Sequence, residues 1–483
     1  MSNFANAMRA QANQTLTENM GIAYSSTNGG CLLDLYAKIG GMRNRSEQDL
    51  INDWKAARRE NQELADNLVL YARNIRDAGL GERRIGRILL KELAKIDPDK
   101  IIRNFQTIVD TGRWDDLFVF VGSSREVEDA MWNFIKNQLR SDIKAMNSNA
   151  PISICAKWLP SINTSSAKTR ALARRACQIL GLTERTYRKT LSALRKHLNV
   201  VERLMSAGEW NKINFEAVPS VAMSRYIKTY NNHCQERFAA YKASLVRGEA
   251  KVNAATLYPY DIVNKALYGV GLDEVDEAQW KALPNYVNED YDVVVMADVS
   301  GSMMGTPMAT SIGLATYFAQ RNKGAYHNLY MTFSRNPSFI ELQDGWSLAQ
   351  CVDKVRRTGV GYNTDLDAAF RLIYDTAKRT REVPKALVVI SDGQFDWDYR
   401  ANQAESIIGK WNRALREAGL PETKVISWNV NARQDNYIGT SYDNLSYCSG
   451  AGVGPFNDLT QLIECNAYEA MVKILSKPAY CWK

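Results

Sequence analysis

The sequence predicts a multidomain chain in which an all-α helical array is followed by an α/β doubly wound domain. Three observations predict it. Residues 48–180 repeat apolar side chains at spacings of three and four, with few strand-like alternations. From Tyr291 onward, short continuous apolar runs alternate with helical stretches, the pattern of a buried and mostly parallel sheet. The charge divides at the same place: residues 1–290 carry 41 basic and 33 acidic residues, whereas residues 291–483 carry 20 of each.

The helical part is built from recognisable pieces. Leu64, Leu68, Tyr71 and Ile75 mark one helix face, and Ile85, Leu89 and Leu93 another, widened by Ile88, Leu90 and Ile96. Gly79, Gly81, Asp97-Pro98 and Gly112 are breaks between helices. The segment from Thr183 to Met205 reads as a single helix. Thr183 is its N-cap, and Tyr187, Leu191, Leu194, Leu198, Val201 and Met205 lie along its apolar face. Arg185, Arg188, Lys189, Lys196 and Arg203 lie opposite, with Arg195 at the flank. Upstream, Lys168, Arg170, Arg174 and Arg175 crowd a second helix, and Lys157 precedes Trp158. Residues 151–200 thus hold ten basic residues and one acidic residue, Glu184. Such a block suits a polyanion and also suits a solvated helix surface. Trp114, Trp158, Tyr187 and Tyr226 could stack bases, or they could be core; Tyr187, on the apolar face, reads as core. No fixed-period repeat is visible, so any array is degenerate.

In the second part, Val293 to Ala297, Asn328 to Phe333, Ala386 to Ile390 and Lys424 to Val430 read as strands. Helices are expected over Met308–Gln320, Ser347–Arg356, Leu366–Lys378, Gln403–Glu417 and Leu459–Leu475. Oxygen-rich loops follow two strands: Asp298-Val299-Ser300-Gly301-Ser302, and Ser391-Asp392-Gly393. Between them, Gly359 to Asp365, with Thr364, opens a helix. Ligands in open α/β sheets sit beyond the carboxyl ends of the strands. Hydroxyls and carboxylates from three loops can surround a small hard cation, Mg²⁺ or Mn²⁺. Asp396 and Asp398 lie close by without a role in the pattern.

These residues resemble the metal-ion-dependent adhesion site (MIDAS) of von Willebrand factor A domains. The resemblance implies hydroxyl ligands from Ser300, Ser302 and Thr364, with Asp298 and Asp392 binding directly or through water. The helical part resembles the TROVE module of the Ro autoantigen and a TROVE-related family of similar length. The likeness is carried by Gly112 to Leu117, Ala156 to Ser161, Tyr187-Arg188-Lys189, Val218 to Met223 and Leu257 to Val263. It implies a HEAT-like ring over residues 25–285, after an N-terminal extension of residues 1–24, and an A domain over residues 286–483. In Ro proteins such a ring binds small structured or single-stranded RNA without catalysis. That role would fall here to Lys157, Lys168, Arg170, Arg174, Arg175, Arg185, Arg188, Lys189 and Lys196.

The 45% hydrophobic and 24% charged composition excludes disordered, collagen-like and coiled-coil chains. No run of 18 apolar residues exists, so no membrane helix is expected. Met1 to Asn6 shows no secretory pattern, and the eight cysteines form no C-x-x-C pair, so a reduced, cytoplasmic protein is expected. An RNA-binding protein is the first functional expectation, and a ribonucleoprotein is its natural setting. The second is a metal-dependent protein-interaction or scaffold protein, such as a component of a larger particle, gripping an acidic partner residue. An enzyme is not expected. The three histidines, His197, His233 and His327, have no acid or nucleophile context, and no phosphate-binding G-x-x-x-x-G-K-[ST] loop occurs.

Overall fold

The computed structural model describes residues 13–76, 79–269, 271–287, 289–333, 337–358, 365–395 and 406–483. The chain forms two compact units. One joins the N-terminal segment up to Ile85 with Ala254–Cys481, and the other comprises Gly86–Asn253 with the last two residues. The boundary expected at 285/286 falls inside the first unit.

The first unit opens with an antiparallel hairpin, β1 (Gln14–Leu16) and β2 (Ile22–Tyr24), then helices α1 (Cys31–Lys38), α2 (Glu47–Glu60) and α3 (Gln62–Arg73). Ser46 and Asn61 cap α2 and α3, accepting from the Asp49 and Leu64 amides. Helix α4 (Arg83–Ile96) leads into the second unit.

That unit continues with α5 (Pro98–Arg103), α6 (Phe105–Thr111), α7 (Arg125–Asn147), α8 (Cys155–Trp158), α9 (Ala167–Leu180) and α10 (Glu184–His197). It ends with α11 (Val201–Ser206), α12 (Ser220–His233) and α13 (Gln235–Val246). Helices α7, α9 and α10 pack on one another through Met131, Trp132, Ile135, Ala173, Ala176, Leu191 and Leu194, all buried. Gly181 ends α9 in the left-handed conformation, φ 70°. Thr183 caps α10, as expected, accepting from the Thr186 amide at 3.1 Å. The helix expected to run to Met205 stops at His197. Asn199 adopts φ 51°, and a separate helix starts at Val201. Asparagine tolerates that conformation, and apolar periodicity running through the break hides it.

The first unit resumes with α14 (Pro259–Tyr268), α15 (Glu274–Lys281) and a six-stranded mixed sheet. Its strands are β3 (Val293–Asp298), β4 (Leu329–Phe333), β5 (Ser338–Glu341), β6 (Ala386–Ser391), β7 (Lys424–Asn429) and β8 (Leu445–Ser449). The order is β5-β4-β3-β6-β7-β8, with all neighbours parallel except the β4–β5 pair. The chain therefore starts in the middle of the sheet, builds outward to β5, then returns to the other side of β3. Between and after the strands lie α16 (Thr306–Arg321), α17 (Leu348–Thr358), α18 (Leu366–Thr380), α19 (Ile407–Glu417), α20 (Leu459–Glu464) and α21 (Ala467–Leu475). Every residue of β3 and β6 is buried, which explains their unbroken apolar sequences. The helix expected over Leu459–Leu475 is two, because Asn466 caps a new start, accepting from Glu469 N at 2.9 Å.

The N-terminal segment joins this unit by close backbone approach. A Cβ on Gly40 would lie 2.6 Å from Gly450 N, and one on Gly41 2.7 Å from Ala432 N. Gly40 N–H donates to Ser449 Oγ at 2.9 Å, and Ala432 N–H to Gly41 O at 2.8 Å. Only glycine admits this contact. Helix α1 packs on β8, the last strand of the sheet, and reaches its neighbour β7.

Candidate metal centre and basic helical face

The strand order places a switch point between β3 and β6, because the chain leaves β3 toward β4 and later returns to pair β6 on the opposite side. Loops diverge at the carboxyl ends of two such strands and leave a crevice. Asp298 ends β3, and Asp392 follows β6. Asp298 is fully buried, and Ser300 and Asp392 are each 1% exposed. Asp298 Oδ1 accepts from Ser300 N–H at 2.9 Å, and Oδ2 accepts from the Ser391 hydroxyl at 2.7 Å. The Ser300 and Ser302 hydroxyl oxygens are 3.1 Å apart. Asp392 Oδ1 accepts from Gln394 N–H at 3.1 Å, and Oδ2 accepts from the Arg433 guanidinium at 2.9 Å.

Burial, and after it the charge of Asp392, pushes the Asp298 carboxyl up to about 7 despite its hydrogen bonds. Burial also raises Asp392, against the Gln394 amide and Arg433. Two desolvated carboxylates sharing a pocket with two adjacent hydroxyls form an oxygen-only donor set, and the Arg433 guanidinium is paired with one of the two carboxylates. That chemistry fits a hard divalent cation. Asp298, Ser300, Ser302 and Asp392 are thus brought together; Thr364 lies outside the described residues, as do Asp396 and Asp398. Among the described residues no group of three or more His, Cys, Asp or Glu is placed to hold a metal. Beside the site, Met304 is 72% and Tyr268 53% exposed, and the Tyr268 hydroxyl accepts from Gly305 N–H at 3.3 Å.

Sequence reasoning named Ser391 without giving it a role, and missed Arg433 and Glu18. Arg433 lies in the loop after β7, the strand beside β6, so only the sheet order brings it to Asp392. Its other nitrogen, Nη1, pairs with Glu18 Oε2 at 2.9 Å.

In the second unit the nine basic candidates divide by what they touch. Arg170 Nη1 donates to the Thr164 and Ser165 carbonyls at 2.6 and 2.8 Å. Arg174 pairs with Glu184 at 3.2 Å, and Arg175 with Glu128 at 2.6 Å. The Lys157 ammonium lies 5.6 Å from the Trp158 ring centre. Lys168, Arg185, Arg188, Lys189 and Lys196 are exposed, with no ion-pair partner among the described residues. Four of these five lie along one face of α10, from Arg185 to Lys196, over about 16 Å at ~1.5 Å per residue. Residues 86–253 carry 28 basic and 16 acidic residues, so the net positive charge of the protein resides there.

Arg195 has a different task. Its Nε, Nη1 and Nη2 donate to Ala156 O, Ser161 Oγ and Leu159 O at 2.9, 2.8 and 2.7 Å. Tyr187 is core, 1% exposed, and its hydroxyl donates to Pro160 O at 2.9 Å. Together they fasten the 156–161 turn to α10. Trp114 is also core, stacked on Phe134 at 5.4 Å. Trp158 is half-buried, with Arg113 4.2 Å above its ring centre. Tyr226 is half-buried and packs edge-on to Tyr230.

Residues 165–292 match a family described as a domain of unknown function, DUF2828, and residues 292–452 match a second one, DUF7788. The uncharacterized protein L728 of Acanthamoeba polyphaga mimivirus is 28% identical over 496 residues, covering 94% of this chain and 84% of that protein. Among solved structures, the Ro (RSR) protein of Deinococcus radiodurans aligns over 76% of this chain and 93% of its own, at 14% identity and a TM-score of 0.39.

Proposed function

We propose that the protein is a non-catalytic RNA-binding protein of the Ro type, with a divalent-cation site of the A-domain kind at the β3–β6 switch point. The observation that carries the RNA reading is the row of Arg185, Arg188, Lys189 and Lys196 on α10, without ion-pair partners among the described residues, in a unit with a large excess of positive charge. Cations not consumed by ion pairs are free to replace the counterions of a phosphate backbone. Arg174 and Arg175 contribute less, because each already faces a carboxylate.

The test is binding of single-stranded and hairpin RNA across a salt titration, comparing wild type with an R188E/K189E/K196E variant. Wild type should bind at ~50 mM salt with a steep slope. The variant should bind at least tenfold more weakly. Its salt slope should be shallower by ~0.7 for each single-strand phosphate that is no longer neutralised. Equal binding by both proteins would remove α10 from the interface, and no binding by wild type would end the RNA reading.

A second reading, a protein-interaction module that takes an acidic partner residue on the cation, is favoured by exposed Met304 and Tyr268 beside the site. Mg²⁺ or Mn²⁺ bound there would supply an open coordination position for such a carboxylate. The D298A variant should abolish that binding and leave RNA binding intact.

A further inference from the structure

Two salt bridges at the strand-end site meet at Arg433 and link the loop after β6 to the N-terminal hairpin. The Arg433 guanidinium lies between Asp392, whose side chain is fully buried, and Glu18, whose side chain is 40% exposed, at 2.9 Å from each. Glu18 belongs to the turn of the β1–β2 hairpin, and that turn is tied to the loop after β6. Glu18 N–H donates to Gln394 Oε1 at 2.8 Å, Asn19 Nδ2 to Gln394 O at 3.0 Å, and Thr17 Oγ1 to Phe395 O at 2.5 Å. The backbone carrying Arg433 is also held, because Arg45 Nη1 donates to its carbonyl at 2.9 Å.

The Arg433 side chain is not fully satisfied. Its Nε is buried without an acceptor among the described residues. Arg195, a structural arginine of this same chain, has acceptors on Nε, Nη1 and Nη2. An arginine with one orphaned donor, set between a buried and a half-exposed carboxylate, is under-satisfied where it lies.

We propose that Arg433 is an internal counter-cation of the strand-end site, neutralising Asp392 when no metal is bound, and that Glu18 of the N-terminal hairpin holds the guanidinium when a divalent cation takes its place. The inference rests on the cation reading of the site. A divalent ion at Asp392 and a guanidinium 2.9 Å from the same carboxylate repel each other in a poorly screened pocket. Cation binding and the Arg433–Asp392 pair therefore oppose one another, and any group that draws Arg433 outward assists the cation. Linkage makes the coupling reciprocal, so metal occupancy tightens the grip of the hairpin through Glu18.

The test measures Mg²⁺ and Mn²⁺ affinity by titration calorimetry on the full chain after chelator treatment. Wild type is compared with R433Q, E18Q, the double variant and, as a blank, D298N. R433Q should bind the cation more tightly than wild type, by about fivefold or more. E18Q should bind it more weakly, since the guanidinium then has only Asp392, and the double variant should match R433Q. Binding by R433Q but not by wild type also supports the proposal. If wild type binds and R433Q binds equally or more weakly, the counter-cation role is overturned and the cation site stands. If neither protein binds, both fall. Should R433Q fail to fold, E18Q, altered at a partly exposed position, decides alone: affinity equal to or above wild type overturns the proposal.

Discussion

Asp298 is buried beside a second carboxylate, and this placement fixes the sign of a pH effect. Its pKa in the folded protein is raised to about 7, so the folded state holds the proton more tightly than the unfolded chain does. The associated stability is complete below the ordinary carboxylate range and is lost as pH rises through about 7. Chelator-treated protein should therefore melt at a lower temperature at pH 8 than at pH 5. Mg²⁺ should raise the midpoint at pH 8 by a few degrees and have little effect at pH 5. Thermal denaturation checks this, and D298N should flatten both dependences. A wild-type melting temperature indifferent to pH and Mg²⁺ would contradict the account. At this scale the sequence was informative where chemistry is local. Asp298, Ser300 and Ser302 share one short loop, and the apolar run before them announces a buried strand. Arg433 was illegible because its partners, Asp392 and Glu18, are set by sheet order and by a hairpin of three-residue strands.

Helix α10 shows how one element can carry two functions on two faces. Tyr187, Leu191 and Leu194 face inward, Arg185 and Lys189 face solvent, and Arg195 at the flank reaches the 156–161 turn. The R195Q substitution should loosen that turn, leaving three acceptors short of a donor. We expect a loss of about 1–3 kcal/mol by denaturant titration, since each buried acceptor left unsatisfied carries a desolvation cost. A stability equal to wild type would show that water replaces the guanidinium. The apolar period of 3.6 made α10 readable, and the same regularity concealed its end at Asn199. Strands β5 and β8 escaped notice for a different reason: Ser338–Glu341 and Leu445–Ser449 are short and mix polar with apolar residues. Both serines of β8 are buried, and Ser449 is held by the N-terminal segment through its contact to Gly40.

For the whole molecule, the division into two units makes a prediction about fragments. Residues 86–253 have their own core, whereas the sheet depends on residues 13–85 to cover β8. A fragment of residues 86–253 should be soluble and cooperatively folded by circular dichroism. A fragment of residues 286–483, cut at the boundary the sequence suggests, should be insoluble or markedly less stable than the full chain. A stable 286–483 fragment would show that α1 and the Gly40–Gly41 contact are dispensable. The charge shift near Tyr291 correctly announced a change in architecture. It could not show that residues 13–76 belong with residues 254–481, because that association is made by contacts far apart in sequence, the Gly40–Gly41 approach and the Lys38–Asp435 ion pair among them.

The Gly40–Gly41 contact also bears on how the chain is made. Its partners, Ser449, Gly450 and Ala432, leave the ribosome some 400 residues after it. At ~5–20 residues per second, the N-terminal segment waits about 20–80 s with its apolar face uncovered, while the inserted helical unit emerges and can fold. Nascent-chain capture would be expected to find the exposed faces of α1 and α3 in the hands of chaperones throughout that interval.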